Sequence, residues 1–166
     1  MADFKIGDRL MYGTVGLVEI IDIRVENAFG ADREYYVLRE QDSASDAQIF
    51  VPKDNEALVA NMRPLLSGEE IKHLLTLEER APIEWNKDNR ARSEKFRRII
   101  ESGDREMILA LISAIQKMRR ERSVEGKKNY MLDENMLDKA NRLIVSEFSC
   151  VLNKSSEQMR EILSKI

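Results

Sequence analysis

Two hydrophobic rhythms divide this chain. From Phe4 to Val51 the apolar positions fall in short runs, many of them alternating with polar ones, and Gly, Asp and Asn punctuate them. Residues 4–12 alternate loosely around a Gly7-Asp8 turn, and Gly13-Thr14-Val15-Gly16 is a flexible break. Residues 17–25 are rich in β-branched side chains, residues 27–32 read as a hairpin tip, and residues 34–39 form a strand with an aromatic start. Residues 41–46 are polar and turn-like, and Gln48-Ile49-Phe50-Val51 is a last strand ended by Pro52. Several short strands between turn signals predict a small, strongly curved antiparallel barrel. The edges of such a barrel invite a partner strand.

After Val59 the period lengthens. Asn61 to Pro64 reads as linker. Ser67 and Glu70 have the spacing of a capping box, and Ile71, Leu74, Leu75 and Leu77 follow at helical intervals. Pro82 interrupts. A second helix is expected over about residues 86–101, stopping near Gly103. Asp104 would cap a third, with Met107, Ile108, Leu111, Ile112, Ile115 and Met118 as its apolar stripe. Gly126 breaks the chain, a fourth helix spans about residues 133–152, and Ser155 and Gln158 box in a short fifth. The pattern predicts an α+β protein: a β module over residues 1–60 and a compact bundle of about five helices over residues 61–166.

Composition narrows the class. The 166 residues are 43% hydrophobic and 34% charged, which supports globular cores and a solvated surface. The net charge of −3 does not announce a nucleic-acid binder. Its distribution is uneven, however. Residues 84–128 hold 13 Lys/Arg against 8 Asp/Glu, leaving 14 against 22 elsewhere. The single cysteine, Cys150, forbids an internal disulfide and fits a reducing cytoplasm. No signal peptide and no apolar run of about 20 residues stands out, so no membrane role is expected.

Catalytic motifs are missing. One histidine, His73, and one cysteine exclude most metal and nucleophile constellations, and no cofactor is expected. Gly13 to Gly16 lacks the spacing of a phosphate loop, and no helix follows it. His73 reads as a surface or boundary side chain and Cys150 as a small buried hydrophobe. An enzyme is disfavoured.

The informative stretch is Ala81 to Arg98. It holds the only tryptophan, Trp85, behind a proline and at the mouth of a basic helix. At helical spacing Lys87, Arg90, Glu94 and Arg97 share one face, while Phe96, Ile99 and Ile100 turn to the core. A flat apolar ring beside cations is a device for gripping distorted nucleic acid. A buried Trp ahead of a solvated helix face fits the same letters.

These pieces together resemble the CarD family of bacterial transcription regulators over nearly the whole length. The carrying residues are Phe4-Lys5-Ile6-Gly7-Asp8, Tyr12, Gly16, Glu34 to Leu38 and Val51-Pro52 in the first module. In the second they are Arg80-Ala81-Pro82, Trp85, Ser102-Gly103-Asp104, Arg119 to Arg122, Met136-Leu137 and Lys139-Ala140. The resemblance implies a Tudor/SH3-like barrel, shared with the transcription-repair coupling factor, that docks on the β subunit of RNA polymerase. It implies a helical domain that meets promoter DNA at the upstream edge of the melted bubble. Carried over by position, Trp85 is the wedge, Lys87 and Arg90 grip the backbone, and Lys139 is a further phosphate contact. On the polymerase side the corresponding residues are Arg24, Phe50 and Pro52. The chain departs from the family where Phe50 replaces a basic residue of some relatives and where Asp88 interrupts the basic run. The segment 124–132 is also longer. The alternative is an adaptor that docks on polymerase or another protein without touching DNA.

Overall fold

The computed structural model describes residues 3–166. It resolves into two compact units, one ending at Leu65 and the other running from Leu66 to Ile166.

The first unit is a five-stranded antiparallel sheet. Its strands are β1 (Arg9–Tyr12), β2 (Gly16–Ala28), β3 (Ala31–Glu40), β4 (Gln48–Pro52) and β5 (Met62–Pro64), with a one-turn helix α1 (Glu56–Val59) before the last. The spatial order is β4-β3-β2-β1-β5. The ladder ends at β4 and β5, so the sheet is open where the sequence reads as a barrel. The stretch read as linker, Asn61 to Pro64, supplies β5: Tyr12 pairs with Met62 and Leu10 with Pro64. A three-residue strand is too short to show a period, which is why the pattern misses it.

Local chemistry explains the turns. Ala28 faces Ala31 across a two-residue turn, with Phe29 at φ 55° and Gly30 at φ 82°. Two positive φ angles match the right-handed twist of the flanking strands. The register of β2 against β3 slips between Ile20 and Asp22. Next to this bulge the Gly7-Asp8 turn docks on the strand: the Gly7 amide donates to the Ile20 carbonyl at 2.8 Å and the Ile20 amide to the Asp8 carbonyl at 2.9 Å. One face of the sheet forms the core from Leu10, Val18, Ile20, Leu38 and Val51, closed by Phe4 edge-on to Tyr36 at 6.1 Å.

The second unit holds α2 (Gly68–Leu75), α3 (Asn89–Ser102), α4 (Arg105–Val124), α5 (Met131–Leu152) and α6 (Ser156–Leu163). Both capping boxes form, Ser67 with Glu70 and Ser155 with Gln158. Asp104 caps α4 by accepting from the Met107 amide. Ile108, Leu111, Ile112 and Ile115 are buried along α4, with Leu137, Ala140, Ile144 and Phe148 along α5. Full burial of each large side chain is worth roughly 1.5–3 kcal/mol. Within this apolar interior Glu147 accepts from Arg105 at 2.9 and 2.8 Å and from the Leu66 amide at 3.1 Å.

Candidate functional site

The sheet unit gathers its candidates on the face opposite the core. Cross-strand pairing sets Arg24 of β2 against Tyr35 of β3, and Tyr35 against Pro52 of β4. Phe50 lies two residues before Pro52, on the same face. Its ring meets Tyr35 edge-on at 6.1 Å and lies 5.5 Å from the Arg24 guanidinium. Phe50 is 41% exposed. Arg24 also pairs with Asp22 at 2.9 Å and Glu26 at 3.6 Å, so acidic neighbours hold it on its own strand. The result is a cation and two rings bridging three strands and ending at the edge strand β4. Tyr35 completes the group although the sequence does not single it out as a site residue. Pairing register decides this, and no single strand displays it.

In the helical unit the expected start of α3 shifts. The helix begins at Asn89, because the Asp88 side chain caps it by accepting from the Ala91 amide at 2.9 Å. Asp88 is thus the local reason that α3 starts where it does. Lys87 falls in the turn before the helix, outside the shared face expected for it. Lys87, Arg90 and Lys139 are exposed, and among the described residues none has an ion-pair partner. Three cations without counter-charges are available to phosphate.

Trp85 is half-buried. Its ring packs on Phe96 of α3, with centroids 5.4 Å apart, and lies 4.9 Å from the Arg92 guanidinium. It also lines a groove with Pro82, Ile83, Ala114, Met118 and Ile162. The indole is therefore anchored on one side and not free-standing. Arg92 is buried, 1% exposed, against the fully buried Asp133 of α5. Its Nε and Nη2 each donate to that carboxylate at 2.9 Å.

The segment after α4 is also tied down. Arg119 donates to Glu134 through Nε at 2.9 Å and through Nη2, and Asn129 donates to the same carboxylate at 3.1 Å. The Arg119 hydrogen bonds, helped by Asn129, hold Glu134 below the usual glutamate range. They raise Arg119 correspondingly. Arg122 donates to the Lys128 carbonyl at 2.9 Å and covers the Tyr130 ring at 4.4 Å.

Residues 4–66 match the family model described as CarD-like/TRCF RID domain. The match covers less than half of the 166 residues and leaves helices α2 to α6 outside it. The matched span is the sheet unit. The matched domain points to a transcription-related role in contact with RNA polymerase. No curated protein matches the chain.

The remaining side chains singled out from sequence carry little. His73 is exposed and Cys150 half-exposed, where the sequence places it in the core. Cys150 lies near the end of α5, beyond Phe148, the last residue buried along that helix. Among the described residues no group of His, Cys, Asp and Glu has the arrangement of a metal site, and no helix is long and apolar enough to cross a membrane. In the helical unit the residue that sequence reasoning missed is Arg92. It lies one helical turn before Phe96, which itself lies one turn before Ile100, so it falls on the core stripe and not on the basic face. That offset was the available signal.

Proposed function

We propose that this CarD-like protein is a transcription regulator that acts without catalysis, by tethering and differential DNA affinity. Arg24, Phe50 and Pro52 dock the Tudor-like sheet on the β subunit of RNA polymerase. Trp85 then meets promoter DNA at the upstream fork of the bubble, with Lys87 and Arg90 on the backbone and Lys139 as a further phosphate contact. The observation that supports this best is the half-buried Trp85, anchored on Phe96 and followed within five residues by the exposed, unpaired cations Lys87 and Arg90. An anchored ring loses little freedom when it meets a splayed base pair, which favours insertion.

The tether gives the helical unit a high effective concentration at DNA, so weak and sequence-indifferent contacts suffice. A chain of net charge −3 can act this way because only the local face needs to be positive. Tighter binding to the open fork than to closed duplex shifts the equilibrium toward the open complex. At about 1.4 kcal/mol per factor of ten, one ring and two phosphate contacts change that equilibrium by one or two decades. The test is Trp85→Ala in a promoter-melting assay. Polymerase binding should persist and open-complex lifetime should fall; an unchanged lifetime would refute the wedge.

A second reading, an adaptor without DNA contact, draws support from the packing of Trp85 on Phe96 and its place in the groove. In that case Trp85 emission is blue-shifted and does not respond to forked DNA. The same titration separates the two readings.

A further inference from the structure

The buried Arg92–Asp133 pair sits directly under the proposed DNA-contacting ring. Four hydrogen bonds fix the guanidinium: two to Asp133 at 2.9 Å, one from Nη1 to the Asn86 carbonyl at 2.8 Å and one from Nη2 to Asn89 Oδ1 at 2.8 Å. The Asn86 bond holds the backbone at the residue next to Trp85. The guanidinium also lies 4.9 Å from the Trp85 ring centre and 5.3 Å from that of Tyr130. Tyr130 precedes the first turn of α5, is 42% exposed, and carries Arg122 at 4.4 Å. Two aromatic rings from distant parts of the chain thus share one immobilised cation.

A buried ion pair does little for stability by itself, since apolar residues of similar volume often do as well. The planar fork supplies orientation that an apolar filler cannot: it bonds carboxylate, carbonyl and amide while lying close to both rings. We propose that Arg92, locked by Asp133, is the positioning residue for the Trp85 indole and couples its orientation to Tyr130 at the start of α5. This rests on the reading of Trp85 as the DNA-contacting side chain. Arg92 itself touches no DNA. It sets the ring so that the fork meets a fixed wedge.

The test compares full-length parent, Arg92→Lys and the paired Arg92→Met/Asp133→Leu, the last removing both charges so that neither is stranded. Circular dichroism confirms the fold, and pull-down with the β subunit confirms the sheet unit. Acrylamide quenching of Trp85, the only tryptophan, then reads the ring directly. The proposal expects stronger quenching in both variants. It also expects an open-complex lifetime about two- to tenfold shorter, the range of one cation–π contact, and no further loss when the Arg92 change is added to Trp85→Ala. Folded variants with parental quenching would overturn it and leave the pair a purely structural element. So would a shortened lifetime that adds in full to that of Trp85→Ala. If Trp85→Ala alone leaves the lifetime unchanged, the proposed DNA role fails, and quenching still decides whether Arg92 positions the ring.

Discussion

The guanidinium of Arg24 lies 5.5 Å from the centre of the Phe50 ring, reaching across β3 from one strand to the edge of the sheet. A cation over an aromatic face is worth about 0.5–1 kcal/mol when exposed and more once a partner excludes water. Burial against a second protein would therefore strengthen the pair. Arg24→Glu should abolish recruitment, since it puts a third carboxylate between those of Asp22 and Glu26 and strips Phe50 of its cation. Phe50→Ala should weaken recruitment by about tenfold, as for a truncated aromatic anchor. Pull-down and titration with the β subunit check both, and parental binding by either variant would remove this face from the interface.

The carboxylate of Asp133 is fully buried and engaged by Arg92. Asp133→Ala strands a buried cation and should cost about 3–5 kcal/mol. Arg92→Met with Asp133→Leu should recover most of that loss. Denaturant midpoints of the three proteins measure it. A mild effect of Asp133→Ala would mean that water reaches the pair.

Asp88 does two opposed things. Its side chain caps α3, and its charge sits between Lys87 and Arg90. Asp88→Asn keeps a good cap and removes the charge. Stability should hold within about 0.5 kcal/mol, while forked DNA binds about two- to threefold more tightly at low salt. Asp88→Ala should lose about 1 kcal/mol of stability instead. Thermal unfolding and a salt series of DNA titrations separate these effects.

Glu134 gives an acid dependence of known sign. Hydrogen bonds from Arg119, then from Asn129, keep its carboxyl below the usual glutamate range. Its stabilising contribution is complete above the ordinary glutamate value, about 4.3, and disappears as pH falls through the lower folded value. Glu134→Gln should therefore be less stable than parent at pH 7, and the gap should close under acid. Urea midpoints at a series of pH values check this. A gap independent of pH would show that the charge on Glu134 contributes nothing.

Lys87, Arg90 and Lys139 lack ion-pair partners among the described residues. Each Ala substitution should leave polymerase binding intact and reduce the slope of log affinity against log salt by about 0.9. A Lys139→Ala slope equal to parent would place Lys139 off the DNA path.

Helix caps, stripes and breaks were readable from the letters alone, because they depend on residues three or four apart. Ser67 with Glu70, Asp104, Gly103 and Ser155 with Gln158 all mark helix ends where the spacing put them. The β2–β3 hairpin tip of the first unit was visible for the same reason. Tertiary structure alone decided the rest. Pairing register placed Tyr35 between Arg24 and Pro52, and a three-residue strand appeared where linker was expected. The largest change concerns the tryptophan: sequence marked Trp85 as a ring beside cations but could not reveal that the cation touching it is Arg92, held by a carboxylate 41 residues away. Local spacing encodes which face a side chain takes. What it meets there depends on contacts between segments far apart in the chain, and those exist only once the units have packed.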